Sequence, residues 1–415
     1  MSSKRLRIAV WHNLPSGGGK RALYDHVRGL IGRGHEVEIW CPEQADREYL
    51  PLSDLATEHR LPMDRSVSTR RFTLDSVFHN QRAMRQQLRA ARLHAEQCAA
   101  EMAGSRFDVL FANSCQFHAA SCLARCVDLP SVLYLQEPFR HLYEARPEWP
   151  WAMEPDEPSR SVKARLKAWS DLQALRLQAR EERANAAAFD RLLVNSQFSR
   201  ESVARAYGLD ARVCYLGVDS DLFQPTGVER GNHVIGCGSI HPPKGVDLAI
   251  QAVSGIDEAA RPKLIWVANQ IDDKHRNEVE CLAVESGVEF SVRHLIPDRE
   301  LIDLLSTAVA MIYTARLEPF GFAPLEANAC GAPVVAVAEG GVRETVRDGF
   351  NGLSVSNRDP NALAQALCRL IDNQELARTM GRQGRQMVLR DWSDKAAVAR
   401  LEGFLLRTVE RANDD

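Results

Sequence analysis

Two glutamates, Glu318 and Glu326, are the residues of this sequence best placed to do chemistry. Glu318 lies in a loop that continues through Phe320 and Gly321, and Glu326 lies inside a helix predicted to start just after that turn. The first turn of a helix presents N–H groups without intrahelical partners and the positive end of the helix dipole, so it binds anionic oxygens. A plain loop–helix–strand would not need both carboxylates. Glutamates are also common in loops, however, and the residues alone leave both interpretations open.

The segment around these glutamates is typical of a loop, one short helix and a buried strand. Pro324 fits the first helical position, where its missing N–H costs nothing. Leu325–Cys330 supplies good helix formers, Gly331 is predicted to be a left-handed stop, and Pro333 forbids continuation. Val334–Ala338, a run of β-branched and small residues, is then predicted to be a strand.

Composition narrows the class of protein. The chain has 415 residues, of which 45% are hydrophobic, and its net charge of −3 argues against a nucleic-acid binder. It contains no apolar run long enough for a spanning helix, and its first residues lack a signal-peptide pattern. Ten cysteines without a C-x-x-C pair fit thiols in a reducing compartment. We therefore expect a soluble, cytoplasmic α/β protein.

The order of predicted elements indicates two domains, each a doubly wound sheet. Leu6–Val10 is a predicted strand followed by the loop Leu14–Lys20, which contains Gly17–Gly19, and a helix at Arg21–Arg33. In a doubly wound sheet, ligands gather at the carboxyl ends of such strands. The strand–helix alternation restarts after a loop-rich crossing, so we expect a first domain at 1–216 and a second at 217–389 facing one cleft. A C-terminal helix at about 390–415 is a candidate to pack back on the first domain.

A cluster of sulfur and imidazole groups lies in the first half of the chain. Four such residues have helical spacing: Cys115, His118, Cys122 and Cys126. Four ligands along one helix cannot surround a tetrahedral metal ion, so small core residues are the favoured interpretation. His118 could still face a cleft near Gln136 and Glu137 and contact substrate hydroxyls.

Two basic segments, Arg60–Glu101 and Ser159–Asn185, are predicted to be helical. The second has one apolar stripe, made up of Val162, Leu166, Trp169, Leu172 and Leu175. Such a helix can lie on an anionic membrane surface, although a core-facing helix with a charged outer side is more common.

The motifs of this chain resemble those of family-4-type glycosyltransferases (glycosyl transferases group 1), which have the GT-B fold, retain anomeric configuration and use nucleotide sugars. The resemblance runs through nearly the whole chain. In order, it rests on Gly17-Gly18, R-G-H-E-V at Arg33–Val37, N-S-Q-F-S-R-E at Asn195–Glu201, Y-L-G-V-D at Tyr215–Asp219, Lys244-Gly245, and the Glu-x7-Glu block from Glu318 to Glu326.

This resemblance implies roles for single residues. Lys244 would grip the donor diphosphate, Glu326 would bind the ribose hydroxyls, and Glu318 would act catalytically beside the transferred sugar. His118 would line the acceptor side as a second catalytic residue, and Gly17 and Gly18 would form a cleft loop. The remaining donor-binding positions would be Phe320, Gly321, Phe322, Leu325 and Ser239.

The chain also departs from the family pattern. Ser239 stands where an arginine usually supplies a second diphosphate cation, so His241 or an arginine from elsewhere would have to replace it. Thr314-Ala315 replaces a common Pro-Ser, and Gln136-Glu137-Pro138 replaces a frequent His-containing strand end.

The expected activity is therefore transfer of a hexose, with retention, from a UDP- or GDP-sugar to a glycan, a lipid-linked or a small hydroxyl acceptor. We expect no metal or cofactor, because the protein supplies its own cations and no acidic cluster resembles a magnesium cage. Peripheral contact with the inner face of a membrane through the basic helices is a further expectation. The alternatives are a non-catalytic nucleotide-sugar-binding module on the same fold and another GT-B enzyme such as an epimerase.

Overall fold

The computed structural model describes residues 4–64, 75–143 and 162–414, with the side chains of 75–77 excepted. The chain divides into two compact units. The first comprises Met1–Cys214 and Val398–Asp415, and the second comprises Tyr215–Ala397. Within the described ranges, no helix is long and apolar enough to span a bilayer.

The first unit is built on a parallel seven-stranded sheet with the order β3-β2-β1-β4-β5-β6-β7. Its strands are β1 (Arg7–Asn13), β2 (Glu36–Pro42), β3 (Thr57–Leu61), β4 (Val109–Cys115), β5 (Ser131–Tyr134), β6 (Arg191–Val194) and β7 (Arg212–Val213). Its helices are α1 (Gly18–Gly32), α2 (Asp75–Ala103), α3 (Arg140–Tyr143), α4 (Val162–Ala186) and α5 (Gln197–Tyr207).

The second unit is built on a parallel six-stranded sheet with the order β10-β9-β8-β11-β12-β13. Its strands are β8 (His233–Cys237), β9 (Lys263–Ala268), β10 (Phe290–His294), β11 (Ala310–Tyr313), β12 (Val334–Val337) and β13 (Gly352–Val355). Its helices are α6 (Val246–Ser254), α7 (Asp273–Glu285), α8 (Asp298–Thr307), α9 (Phe322–Ala329), α10 (Val342–Thr345), α11 (Pro360–Asp372) and α12 (Gln374–Asp391). The last helix, α13 (Asp394–Asp414), begins in this unit and belongs to the first unit from Val398 onward. The predicted pair of doubly wound sheets is confirmed.

The central strands are buried on both faces, which explains their nearly continuous apolar runs. All four residues of β11 and all four of β12 are buried, and they pair in register from Met311 and Val334 to Tyr313 and Ala336. Helices cover both faces of such a sheet, so its strands lack the alternation of polar and apolar residues that a half-exposed strand shows.

The end of α13 packs within the first unit. Glu402 is 5% exposed and its carboxylate contacts Arg33 Nη2 at 2.6 Å and His35 Nε2 at 2.9 Å. The hydrogen bond from Arg33 lowers the pKa of Glu402, so the carboxylate is held in its charged form. Gly29 lies directly against Val398, which brings α1 and α13 into backbone-close packing.

The predicted helix at Arg60–Glu101 is wrong at its start. Thr57–Leu61 forms the edge strand β3, which pairs with β2 from Thr57–Glu38 to Leu61–Pro42, and the described part of the helix begins at Asp75. Residues 65–74 lie outside the described residues. A polar segment such as T-E-H-R-L becomes a strand here because pairing with a buried neighbour outweighs its local preference.

The predicted helix through Cys115, His118, Cys122 and Cys126 is also wrong. Cys115 ends β4, and in the described residues this segment contains only a 3-10 turn at Leu123–Arg125. The Ser121 hydroxyl accepts a hydrogen bond from the Leu123 N–H at 3.2 Å. Such local bonds compete with helical ones, so the spacing alone was misleading.

Helix α4 exists, but it does not bury the predicted apolar stripe. Val162, Leu166 and Trp169 are 73%, 43% and 53% exposed. The buried side is instead the row Ser170, Ala174, Gln178 and Glu182. The charged member of this row has partners, since Glu182 accepts hydrogen bonds from Gln178 at 3.0 Å and from the Tyr207 hydroxyl at 3.3 Å.

Glu182 makes the stability of the first unit depend on pH. Burial raises the pKa of this carboxyl from 4.5 to about 7, so the folded chain holds a proton that the unfolded chain has released. The free energy of unfolding therefore falls as pH rises from about 4.5 to about 7.

The variant Glu182→Gln has a neutral side chain at every pH, so its free energy of unfolding should not fall in this way as pH rises. Relative to wild type, we expect it to gain on the order of 2–3 kcal/mol between about pH 5 and about pH 8. Urea denaturation at both pH values measures the gain, and Glu181→Gln on the same helix is the matched control. Equal pH dependence in wild type and Glu182→Gln would contradict the assignment.

Substitutions at two glycines of α1, Gly29 and Gly32, test whether α13 packs closely against α1. A Cβ added at Gly29 would lie 2.3 Å from Val398 Cγ2, whereas one added at Gly32 meets nothing within 4 Å. We expect Gly29→Ala to destabilise the protein by about 1–3 kcal/mol through overpacking, and Gly32→Ala to stabilise it by roughly 0.5 kcal/mol. Thermal unfolding compares the two, and similar shifts in both variants would show that α13 does not press on α1.

Candidate functional site

The second unit gathers its candidate residues where its strand order reverses. β8 and β11 are neighbours in the sheet, but their connections run in opposite directions from that point. Loops at the carboxyl ends of such strands form the usual ligand crevice of an open α/β sheet. The loop after β8 carries Ser239 and Lys244, and the loop after β11 carries Glu318. The Arg316 N–H joins the two loops through a 2.8 Å hydrogen bond to the Pro243 carbonyl.

Lys244 and Glu318 meet directly in this crevice. The ammonium Nζ lies 2.6 Å from Glu318 Oε2, and the two side chains are 28% and 23% exposed. The contact brings together two residues that are far apart in sequence. A lysine with this exposure keeps further donor positions for an anionic ligand, so it can exchange its carboxylate partner for a phosphate.

Thr314 locks the backbone of the lysine turn. Its hydroxyl contacts the carbonyl oxygens of Gly245 at 2.7 Å and Lys244 at 3.1 Å. Gly245 has a φ of +67°, and a Cβ there would lie 2.5 Å from the Thr314 carbonyl oxygen. Glycine is therefore required at this position by conformation and by space.

The loop that carries Glu318 is held by the glycine pair after β12. The Gly341 N–H donates to the Glu318 carbonyl at 2.8 Å, and a Cβ on Gly340 would lie 2.3 Å from that same oxygen. Leu317, the preceding residue, has a φ of +48°, which is unfavourable for a side chain of this kind. Backbone strain of this type persists where surrounding contacts impose it and is frequent at functional sites.

Helix α9 begins at Phe322, after Gly321 with a φ of +91°. The sequence predicted Pro324 at the first helical position, but Pro324 is the third residue of the helix. Proline is tolerated at either place because none of the first-turn N–H groups has an intrahelical acceptor. The N–H groups of this turn and the positive helix end directly follow the segment that carries Glu318. The predicted left-handed conformation of Gly331 is observed, with a φ of +81°.

Glu326 lies on the inner side of α9 and is 9% exposed. Its charge acts on the ends of the two central strands. Burial raises the pKa of Cys237, at the end of β8, and the Glu326 carboxylate raises it further. Burial also raises the pKa of Tyr313, at the end of β11, where Glu318 contributes more than Glu326. Phe320 and Leu325 are 3% and 0% exposed, so their side chains belong to the packing that holds the turn.

Ser239 lies two residues after the end of β8 and brings no charge to the site. Sequence reasoning did not name Arg358, which follows β13 and donates to the Thr314 carbonyl at 3.0 Å. Its Nη2 would lie 2.8 Å from a Cβ on Gly245, so this guanidinium adjoins the lysine turn. No local motif marks Arg358, because its side chain reaches Thr314 from a strand that is not a neighbour of β11 in the sheet.

The first unit has a corresponding switch point between β1 and β4. Gly17 follows β1 with a φ of +138° and caps α1, while Gly18 is the first helical residue. A Cβ on Gly19 would come within 3.2 Å of Gln136 Nε2. The side-chain nitrogens of Gln136 and Asn113 are buried without a hydrogen-bond partner among the described residues. These donors stand at the strand ends, where a hydroxyl-bearing ligand could accept from them.

His118 is 4% exposed and lies in the loop after β4. It lines a cavity of about 430 Å³ in the first unit, together with Trp11, His94, Cys122 and Arg125. Among the described residues, no group of three or more His, Cys, Asp or Glu side chains is arranged to hold a metal ion.

Two family models match the chain. The model for glycosyltransferase family 4 matches residues 16–222, and the model for glycosyl transferases group 1 matches residues 218–387. A D-inositol 3-phosphate glycosyltransferase of Acidothermus cellulolyticus is 32% identical over 45% of this chain and 46% of its own length. An uncharacterized glycosyltransferase of Methanocaldococcus jannaschii is 30% identical over 48% of this chain and 54% of its own length. The chain thus spans about half the length of these relatives.

Solved structures share the fold over nearly the whole chain. Sucrose-phosphate synthase of Thermosynechococcus elongatus superposes with a TM-score of 0.71 at 20% identity, covering 98% of this chain and 100% of its own. HepE of Anabaena, in complex with UDP and glucose, superposes with a TM-score of 0.70 at 17% identity over 97% and 100% of the two chains. With the paired parallel sheets and the two family models, these matches show that the chain belongs to the group 1, family 4 glycosyltransferases of the GT-B fold.

Proposed function

We propose that this protein transfers a sugar from a nucleotide-sugar donor to a hydroxyl group of a glycan, a glycolipid or a small acceptor, with retention of anomeric configuration. The observation that carries the proposal is the 2.6 Å contact between Lys244 and Glu318 beside the start of α9. A cation for phosphate and a carboxylate for a sugar stand next to the first-turn N–H groups of α9, which have no intrahelical acceptor. The second unit is the proposed donor domain.

The proposed reaction breaks the bond between the anomeric carbon and the leaving diphosphate, whose oxygen keeps the electron pair. The acceptor oxygen forms the new bond to the same carbon, and its proton passes to the departing phosphate. Lys244 and the N–H groups at Gly321 and Phe322 stabilise the negative charge that builds on the diphosphate. Glu318, released from Lys244 when the diphosphate binds, stabilises the positive charge on the sugar and orients its hydroxyls.

Glu326 is the proposed ribose ligand, because it is a carboxylate with limited exposure on the inner side of α9. Ser239 contributes a neutral contact, and Arg358 supports the lysine turn through Thr314. UDP-sugars are the first donors to test, since HepE has been crystallised with UDP-glucose. GDP-sugars are the second.

The first unit is the proposed acceptor domain. Gly17 and Gly18 form a loop at the switch point, and Gln136 has a buried amide nitrogen with no partner in the described part of the chain. His118 is proposed to contact the acceptor from the loop after β4. The D-inositol 3-phosphate glycosyltransferases among the relatives make a phosphorylated polyol one acceptor to include.

Three substitutions separate these roles. We expect Glu318→Gln to lower kcat at least about 100-fold, because it removes charge stabilisation made in the transition state. Glu326→Ala should raise the donor KM about tenfold or more with a smaller change in kcat, and Lys244→Ala should weaken binding of the free nucleoside diphosphate. Steady-state kinetics on UDP-, GDP- and ADP-sugars and calorimetry with UDP measure these effects.

Glu278→Gln, which removes an exposed carboxylate of α7, is the control for this series. Turnover at the wild-type rate in Glu318→Gln would remove that residue from the mechanism. Donor binding without transfer to any acceptor would identify a non-catalytic module, and donor consumption without an acceptor would identify another GT-B enzyme such as an epimerase.

Peripheral membrane contact is proposed through the start of α4, on the cytoplasmic side. Val162, Leu166 and Trp169 are exposed apolar residues that alternate with Lys163, Arg165 and Lys167. An apolar face flanked by basic side chains is the usual composition of a helix that lies on an anionic surface. No cysteine of the described chain forms a disulfide, which accords with a reducing compartment.

Vesicle pelleting tests this contact. We expect binding to vesicles with anionic lipid at low salt, and we expect Leu166→Ser with Trp169→Ser to reduce it about tenfold through loss of apolar burial. Val284→Ser, at an 81% exposed apolar residue of α7, is the control. Pelleting that is unchanged in the double variant, or absent in wild type, would reject α4 as a membrane contact.

A further inference from the structure

The second unit contains a cavity that lies away from the proposed donor site. Its volume is about 790 Å³, and its walls include Arg230 ahead of β8, Val309 ahead of β11 and Gly331 ahead of β12. These residues mark the amino ends of the strands, whereas Lys244 and Glu318 follow the carboxyl ends. Gly331 is at the far end of α9 from Gly321, and a helix of this length spans about 12 Å. The cavity is therefore a separate feature of the unit.

Arginine dominates the walls of this cavity. Its four guanidinium groups come from Arg230, Arg378, Arg382 and Arg385, and Glu229 is its one acidic lining residue within the described chain. Arg378, Arg382 and Arg385 are spaced four and three residues apart on α12, so they project from one face of the helix. Arg382 pairs with Glu375 at 2.9 Å, while the other three have no carboxylate partner among the described residues.

Two of these arginines are fixed in place by neutral groups. Arg230 donates to the carbonyls of Ala308, Val309 and Gly331 at 3.0, 3.1 and 2.6 Å. Arg385 donates to three further carbonyls, those of Phe223, Ala329 and Ser220. Backbone carbonyls orient a guanidinium without cancelling its charge, and each group keeps further N–H donors.

Part of this arrangement has a structural explanation. Arg230 and Arg385 satisfy carbonyls at the end of α9, which is a favourable place for a cation. That explanation does not extend to Arg378 and Arg382, which bring two more positive charges to the same cavity. Burial lowers the pKa of Arg230, and repulsion from the nearby Arg378 guanidinium lowers it further. An anion between them would remove this repulsion.

We propose that this cavity binds a small phosphorylated molecule. The guanidinium groups of Arg230, Arg378 and Arg382 hold the phosphate, for which the planar arginine fork is well suited. Pro225, Val309 and Leu370 form an apolar wall that receives the remainder of the ligand. The volume lies within the range of cavities that bind metabolites, about 300–1,000 Å³. This assignment is independent of the donor site.

Calorimetry with inorganic phosphate and phenyl phosphate tests the proposal. The two probes share the anionic head and differ in the phenyl ring. We expect phenyl phosphate to bind at least about tenfold more tightly, because its ring covers the apolar wall. Arg378→Glu and, as a second variant, Arg382→Gln should each weaken binding of phenyl phosphate about tenfold or more. Arg390→Glu, on the same helix but outside the cavity lining, is the matched control for charge.

Lys244→Ala separates this site from the donor site. Binding that survives in Lys244→Ala and is lost in Arg378→Glu supports the cavity, whether or not the protein proves to transfer sugars. The opposite pattern, or equal loss in Arg378→Glu and Arg390→Glu, overturns it. Vesicles carrying a phosphorylated lipid distinguish the source of the phosphate, since pelleting that depends on Arg378 and Arg382 would assign a lipid headgroup. No binding of any probe to wild-type protein would also overturn the proposal.

Discussion

The second unit depends on the close approach of two loops at the point where its strand order reverses. The loop after β8 carries Lys244 and the loop after β11 carries Glu318, and the backbones touch through Arg316 and Pro243. Thr314 and Gly245 hold the lysine turn, while Gly340 and Gly341 hold the loop of Glu318. If either pair of backbones moved apart, the 2.6 Å contact between the ammonium and the carboxylate would be lost.

This contact between Lys244 and Glu318 also defines the state of the site before a donor binds in the proposed reaction. In the absence of a donor, each charged group already has a partner of opposite sign, which limits the cost of keeping both partly buried. A diphosphate would compete for Lys244 and leave Glu318 available to the sugar. The same electrostatic logic applies at the other end of α9, where Arg230 and Arg385 contact its last carbonyls and lie beside two further arginines. The short helix α9 thus has the proposed donor-diphosphate site at its start and the arginine-lined cavity at its end.

Sequence reasoning failed where local pattern and tertiary packing disagree. The stripe of Val162, Leu166 and Trp169 predicted a core face for α4, but the buried face is Ser170, Gln178 and Glu182. A carboxyl can be buried when it is hydrogen-bonded, and Glu182 accepts hydrogen bonds from Gln178 and Tyr207. Gln178 lies on α4 itself, but Tyr207 belongs to α5, and periodicity along α4 could not indicate that partner. The false helix at Cys115 and the missed strand β3 have the same origin.

The sequence by itself determined the two α/β halves and the course of the loop–helix–strand from Glu318 to Val337, because glycine, proline and apolar runs act locally. It also supplied Lys244 and Glu326 as candidates, whose roles stay predictions. The left-handed conformation of Gly331 and the strand after it follow from residue type alone. Only the tertiary structure decided that Lys244 meets Glu318, that Arg358 adjoins the lysine turn, and that four arginines surround one cavity. Those contacts join segments far apart in the chain, and the order of strands in a sheet, which no local pattern encodes, brings them together.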